Sequence, residues 1–124
     1  MKKNTIIWSV VALVFVALIA WLIMTPGKAG KLDGLATCIK DSGAKFYGAF
    51  WCPHCQATKA MFGSSAKLLP YIECSNPDGQ SQNAVCNAAG IESYPTWEFK
   101  DGSRISGEQT LQTLAEKTQC PLPQ

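Results

Sequence analysis

Charge is scarce in this chain, and histidine almost absent. Of 124 residues only 16% are Asp, Glu, Lys or Arg, the net charge is +2, and His54 is the one histidine. A balance this close to neutral excludes nucleic-acid binding through a strongly basic surface. With 47% apolar residues it also excludes a disordered chain. No segment repeats, no stretch is of low complexity, and no Asn-x-Ser/Thr triplet occurs. The length leaves room for one domain and little else. Two things are in excess. One is cysteine, with six residues; the other is a single long apolar run near the start.

The run covers residues 6–24, IIWSVVALVFVALIAWLIM, 19 residues without a charge. As a helix it would extend roughly 28 Å, close to the hydrocarbon thickness of a bilayer. Trp8 and Trp21 lie near its two ends, where amphipathic rings favour the membrane interface. Lys2 and Lys3 precede it, which predicts a cytoplasmic N-terminus and export of everything after the run. The expected organisation is a cytoplasmic N-terminus at 1–5, a single-pass anchor in an inner or plasma membrane at 6–24, a linker at 25–31, a globular domain at 32–120 and a tail at 121–124. A cleaved signal peptide competes, although its apolar region usually runs only about 7–15 residues. Both readings put the domain outside the cytoplasm, in the periplasm of a bacterium. A buried core helix is the third, blander alternative. With Lys2 and Lys3 set aside, nine basic side chains balance nine acids, so the exported part has no polybasic patch for lipid headgroups.

Beyond the linker TPGKAGK the apolar spacing changes. Leu32, Leu35, Ala36 and Ile39 predict an amphipathic helix over 32–41 that stops at Ser42-Gly43. KFYGAF, 45–50, predicts a strand, and 56–62 a helix interrupted at Gly63. LPYIEC, 69–74, reads as a second strand, SNPDGQ as a loop, and 82–89 as a helix ending at Gly90. Thr96–Lys100 and Arg104–Ser106 flank Asp101-Gly102, a hairpin signal. Leu111, Leu114, Ala115 and Thr118 mark a last amphipathic helix. This order predicts an α/β fold around one mixed sheet.

Cys52-Pro-His-Cys55 falls where a strand gives way to a helix. At a helix start, unpaired N–H groups and the helix dipole favour a thiolate. Pro53 suits the first turn, where its missing N–H has no partner to lose. Cys55 follows about one turn later, bringing both sulfurs to one side. The pattern points to thiol–disulfide exchange, with Cys52 as nucleophile and Cys55 as resolving thiol. A zinc site would need a second ligand pair at matching spacing, and the other cysteines are single. A purely structural bridge would close too small a loop to gain much entropy.

FYGAFWCPHCQ followed by GIESYPTWEFKDGSRISGEQTLQTLAE resembles the thioredoxin superfamily over residues 44–118. Within it, Phe46–Cys55, Tyr71-Ile-Glu-Cys74 and Ser93-Tyr-Pro-Thr-Trp97 are similar to the thioredoxin-like domain that accompanies bacterial and plastid homologues of vitamin K epoxide reductase. The resemblance implies a thioredoxin-like fold, a cis bond before Pro95, and a substrate-facing wall made by Tyr94 and Pro95. It also implies substrate proteins carrying thiols or disulfides, and a quinone-linked, vitamin K epoxide reductase-like membrane partner. No bound cofactor and no metal are required. Two departures stand out. Phe46 occupies the position, six residues before the first cysteine, where thioredoxins carry a buried Asp, leaving Glu73 as a candidate for proton transfer to and from Cys55. The usual first strand of the fold has no counterpart before residue 32.

Trp51, Pro53 and His54 are expected to tune the site, His54 by donating to the Cys52 thiolate. Phe46 and Phe50 are expected in the core, and Trp51 partly exposed. Cys38, Cys74, Cys86 and Cys120 allow three pairings. The resemblance supports Cys74–Cys86, leaving Cys38 with Cys120. Against that second bridge, first and last helices in this fold commonly lie on opposite sheet faces. The expected function is a membrane-anchored oxidant of protein thiols. An exported disulfide reductase and a copper(I) metallochaperone using Cys52, Cys55 and His54 are the alternatives, the latter without the Met-rich or His-rich surface it would favour.

Overall fold

The computed structural model describes residues 2–25 and 29–124. Helix α1, Lys2–Met24, is long and apolar enough to cross a membrane. None of its residues is buried. The expected linker has residues 26–28 outside the described residues, as is residue 1 of the expected N-terminal segment.

The remaining elements are α2 (Asp33–Asp41), β1 (Lys45–Gly48), α3 (Pro53–Phe62), a 3₁₀ segment (Gly63–Leu68), β2 (Tyr71–Glu73), α4 (Ala84–Ala88), β3 (Thr96–Glu98), β4 (Arg104–Ser106) and α5 (Leu111–Thr118). The strands form one mixed sheet in the order β2-β1-β3-β4, with β1 parallel to β2 and antiparallel to β3. No strand precedes β1 among the described residues.

Alternation along the strands divides the interior in two. Phe46 and Trp97, opposite each other in register, point to one face and stack with ring centroids 4.5 Å apart. There they meet Leu35, Ala36 and Ile39 of α2, Cys55 and Phe62 of α3, and Leu114 and Ala115 of α5. Tyr47 points the other way, to a smaller cluster with Cys74, Cys86 and Ile91 that α4 covers. Strand edges are tied by charge: Glu98 accepts from Lys45 at 2.9 Å and from Arg104 Nη2 at 2.5 Å. These two partners hold the Glu98 carboxyl below its ordinary range.

Several elements are shorter than their apolar patterns. β1 ends at Gly48 rather than Phe50, because the chain turns there, with the Cys52 amide donating to Ala49 O and the Phe50 amide to Glu73. The third helix begins earlier than residue 56, at Pro53. α4 is only five residues long and is capped by Asn83, whose side chain accepts from the Cys86 amide.

Cys74 is bridged to Cys86, and Cys38 to Cys120. The expectation that the first and last helices of the domain lie on opposite faces is not met: α2 and α5 pack together on the Phe46 face. Gln119 then brings the tail to α2 for the Cys38–Cys120 bridge. It adopts the left-handed conformation (φ 57°), and the Cys120 amide donates back to Ala115 O at 2.9 Å, so the chain leaving α5 folds toward α2.

The two bridges close loops of very different length, with sequence separations of 82 and 12 residues. Removing the Cys38–Cys120 bridge by paired alanine substitution is expected to cost roughly 4–5 kcal/mol, and removing Cys74–Cys86 roughly 3 kcal/mol. Urea titration of the two double variants measures both, and equal losses would contradict the loop-length origin of the difference.

Candidate functional site

Cys52 and Cys55 are unbonded thiols at the start of α3. Cys52 is the N-cap residue, in extended conformation, and Pro53 takes the first helical position. Cys52 retains only 4% of its accessible surface, and its Sγ faces Tyr94 O at 3.7 Å. Cys55 is wholly buried. Burial pushes its thiol up to about 12, a hydrogen bond with Cys52 adds to the rise, and the Ala49 backbone and the Lys59 ammonium partly oppose it. The two sulfurs, one helical turn apart, are therefore unequal in access and in the ease with which the inner one loses its proton.

Opposite them, the Tyr94–Pro95 peptide bond is cis. Pro95 O is occupied by the Gly107 amide at 2.8 Å, so on this wall it is Tyr94 O that faces the sulfur. Tyr94 is held from behind by Gln82, whose Nε2 donates to its hydroxyl at 2.6 Å, and from the side by the edge of Trp51, with centroids 6.0 Å apart.

Trp51 and Phe50 form an aromatic rim, 51% and 47% exposed. The expectation that Phe50 is a core residue is thus corrected. It lies beyond the end of β1, in the turn that leads to α3, and no longer follows the alternation that buries Phe46. The loop between β2 and α4 lies against this rim. Trp51 Nε1 donates to Ser75 Oγ at 3.0 Å, and Gly79, at φ +70°, brings the loop tip against both rings.

His54 also departs from expectation. Its Nδ1 pairs with Glu108 Oε1 at 2.6 Å, and the expected donation to Cys52 is not among the hydrogen bonds of the described residues. As the second residue of α3 it projects sideways, toward the segment after β4, with two-thirds of its side chain exposed.

Some participants escaped the reading of the sequence. A side chain at Gly48 would begin 2.9 Å from Cys55 Sγ and 2.8 Å from Tyr71 Cε2, so only glycine lets α3 approach β1 this closely. A glycine inside a strand pattern is a signal of such an approach, and KFYG carries it. Tyr71, which the sequence reading did not single out for this role, flanks the same point from β2 beside Glu73, which it did, and the Tyr71 hydroxyl donates to Glu73 Oε2 at 2.8 Å. Lys59 lies over the Tyr71 ring, 3.4 Å from its centroid. No local pattern in the sequence links Lys59 to Tyr71.

Known proteins resemble this chain in sequence. Residues 40–119 match the thioredoxin family. The chain is 46% identical over 95 residues, 73% of its length, to the thiol-disulfide oxidoreductase LTO1 of Arabidopsis thaliana. It is 33% identical over 70 residues, 52% of its length, to protein disulfide-isomerase A2 of Pongo abelii, and 31% identical over 70 residues to the Homo sapiens protein of that name. The aligned part covers 25% of the plant protein and 13% of the two isomerases. The paired cysteines at a strand-to-helix junction, the cis-proline loop facing them and the mixed sheet beneath accord with that match: this chain belongs to the thioredoxin family.

Proposed function

We propose that this chain is a thiol–disulfide oxidoreductase, held to a membrane by α1 with its globular part outside the cytoplasm, and that Cys52-Pro-His-Cys55 is its redox site. The observation that carries the reading is the cysteine pair at the start of α3: the Cys52 sulfur, in a residue 4% exposed, faces Tyr94 O beside the cis-proline, and Cys55 is wholly buried. The relatives, named as an oxidoreductase and two disulfide isomerases, point to the same chemistry.

The direction we propose is oxidation of substrate proteins. A substrate thiolate attacks Cys52 Sγ of the Cys52–Cys55 disulfide, and Cys55 leaves with the electron pair and takes up a proton. A second substrate thiolate attacks the substrate sulfur of the mixed disulfide, Cys52 leaves, and the substrate carries away a disulfide. The site then holds two thiols, whose electrons pass to a quinone-linked membrane partner of the vitamin K epoxide reductase kind. Export favours this direction, because disulfides form and persist outside the cytosol. Tyr94 and Pro95 would hold the substrate strand against Cys52, and Phe50 and Trp51 would offer it an apolar rim. The Cys74–Cys86 and Cys38–Cys120 bridges take a structural role in this reading.

Brief alkylation of the reduced protein near pH 7 is expected to label Cys52 and spare Cys55. With its thiol pushed up to about 12, only on the order of 10⁻⁵ of Cys55 is thiolate at that pH. Because the shift is upward, labelling of Cys55 should grow about tenfold per pH unit as the solution approaches that value. Peptide mass spectrometry reads both sites, and preferential labelling of Cys55 would reverse the two roles.

A Cys55→Ala variant should accumulate substrate proteins as mixed disulfides through Cys52, because the internal escape route is gone. Non-reducing gels of expressing cells would show the adducts, and a clean gel would count against exchange. The reduction potential of the pair, equilibrated with glutathione, is expected above roughly −200 mV. A value near −270 mV would make the chain a reductase instead.

A further inference from the structure

The buried thiol has to change its protonation state in every turnover, yet no carboxylate lies beneath it. The floor of the site is the Phe46–Trp97 stack, both rings fully buried, and it offers no group that could accept a proton. The polar groups come from the side. Tyr71 and Glu73 are two residues apart on β2, so they share a face, and in register they pair with Phe46 and Gly48 of β1. Both the Cys55 sulfur and the Tyr71 hydroxyl converge on the point where a Gly48 side chain would begin, 2.9 Å and 3.4 Å away. The same hydroxyl donates to Glu73 Oε2. The other carboxylate oxygen, Oε1, accepts from the backbone amides of Phe50 at 3.1 Å and Ser75 at 2.9 Å, which fixes the carboxylate in place.

We infer that Tyr71 and Glu73 form the proton path of the inner cysteine, with Glu73 as the proton store and the Tyr71 hydroxyl as the bridge. The inference rests on the reading of Cys55 as the resolving thiol. When Cys55 attacks a mixed disulfide at Cys52, its S–H proton passes to the Tyr71 oxygen as the Tyr71 proton passes to Glu73. The new bond is Cys55–Cys52, the bond broken is Cys52 to the substrate sulfur, and the substrate leaves as a thiolate that is protonated from solvent. In the opposite direction Cys55 is the leaving sulfur, and the same path returns a proton to it.

The surroundings suit this division of labour. From α3, Cys52 and Lys59 face Cys55, and from β2 Tyr71 does. Lys59 also covers the Tyr71 ring, and Lys67 lines the same depression. Burial and the adjacent Glu73 keep the Tyr71 hydroxyl protonated, so it passes a proton on rather than storing one. Glu73 is thereby a positioning and proton-storing residue that acts through Tyr71.

The test separates the two chemical steps in the full-length protein in detergent. Reduced protein is mixed with dithiobis-nitrobenzoate, which releases one coloured thiolate when Cys52 attacks and a second when Cys55 resolves the mixed disulfide. Tyr71→Phe keeps the ring under Lys59, and Glu73→Gln keeps an oxygen for the Phe50 and Ser75 amides. In both, the first release should stay within about twofold of the parent, while the second should slow about a hundredfold at pH 7. It should also become proportional to hydroxide, rising about tenfold per pH unit where the parent is nearly flat. Second-phase rates and pH profiles equal to the parent's in both variants would overturn the path. If the parent protein shows no second release, or keeps both releases after Cys52→Ala, the assignment of the two cysteines fails, and the path fails with it.

Discussion

The reactive end of the molecule depends on how closely α3 is pressed against β1. Contact is made at Gly48, where the absence of a side chain leaves space for the Cys55 sulfur and the edge of the Tyr71 ring. From that approach follow the complete burial of Cys55, the upward shift of its thiol and the difference in access between two cysteines only three residues apart. Enlarging residue 48 would force α3 away from the sheet and draw Cys52 back from the cis-proline wall. The chemistry of the site is in this sense a packing property of the strand beneath it.

A second set of contacts holds the rim. The loop between β2 and α4 is polar and would have little reason to stay in place alone. The Cys74–Cys86 bridge fixes its base, and hydrogen bonds from Gln82 to Tyr94 and from Trp51 to Ser75 tie it to both walls of the site. Phe50 and Trp51 can therefore remain half exposed in defined positions. The bridge lies on the far side of the sheet from Cys55, in the cluster with Tyr47 and Ile91, whereas the Cys38–Cys120 bridge shares the larger cluster with Cys52 and Cys55.

Phe46 explains the unusual route to the inner thiol. Stacked on Trp97, it puts two aromatic rings below the cysteines, whose one polar atom, the buried indole N–H of Trp97, can donate but cannot accept a proton. Polar groups can enter only from the sheet edge. β2 is that edge, and it carries Tyr71 and Glu73 on the face that α3 covers.

The sequence by itself determined the local elements. An uninterrupted apolar run, 3.6-residue spacing in α2 and α5, an Asp-Gly hairpin, and Cys-Pro-His-Cys at a strand-to-helix junction are all short-range signals, and each matches an observed element closely. Tertiary structure decided what depends on distance between segments. Cys120 reaches Cys38 because α2 and α5 share a face and Gln119 turns the chain at φ 57°, a conformation that nothing in the residue type demands. Phe46 is buried and Phe50 exposed, although both are phenylalanines in one apolar run, because the strand ends between them. His54 turns to Glu108, 54 residues away, and Lys59 to Tyr71, because α3 packs at one particular angle on the sheet. Side-chain partners across such separations are set by the packing of whole elements, and no local pattern in the chain encodes them.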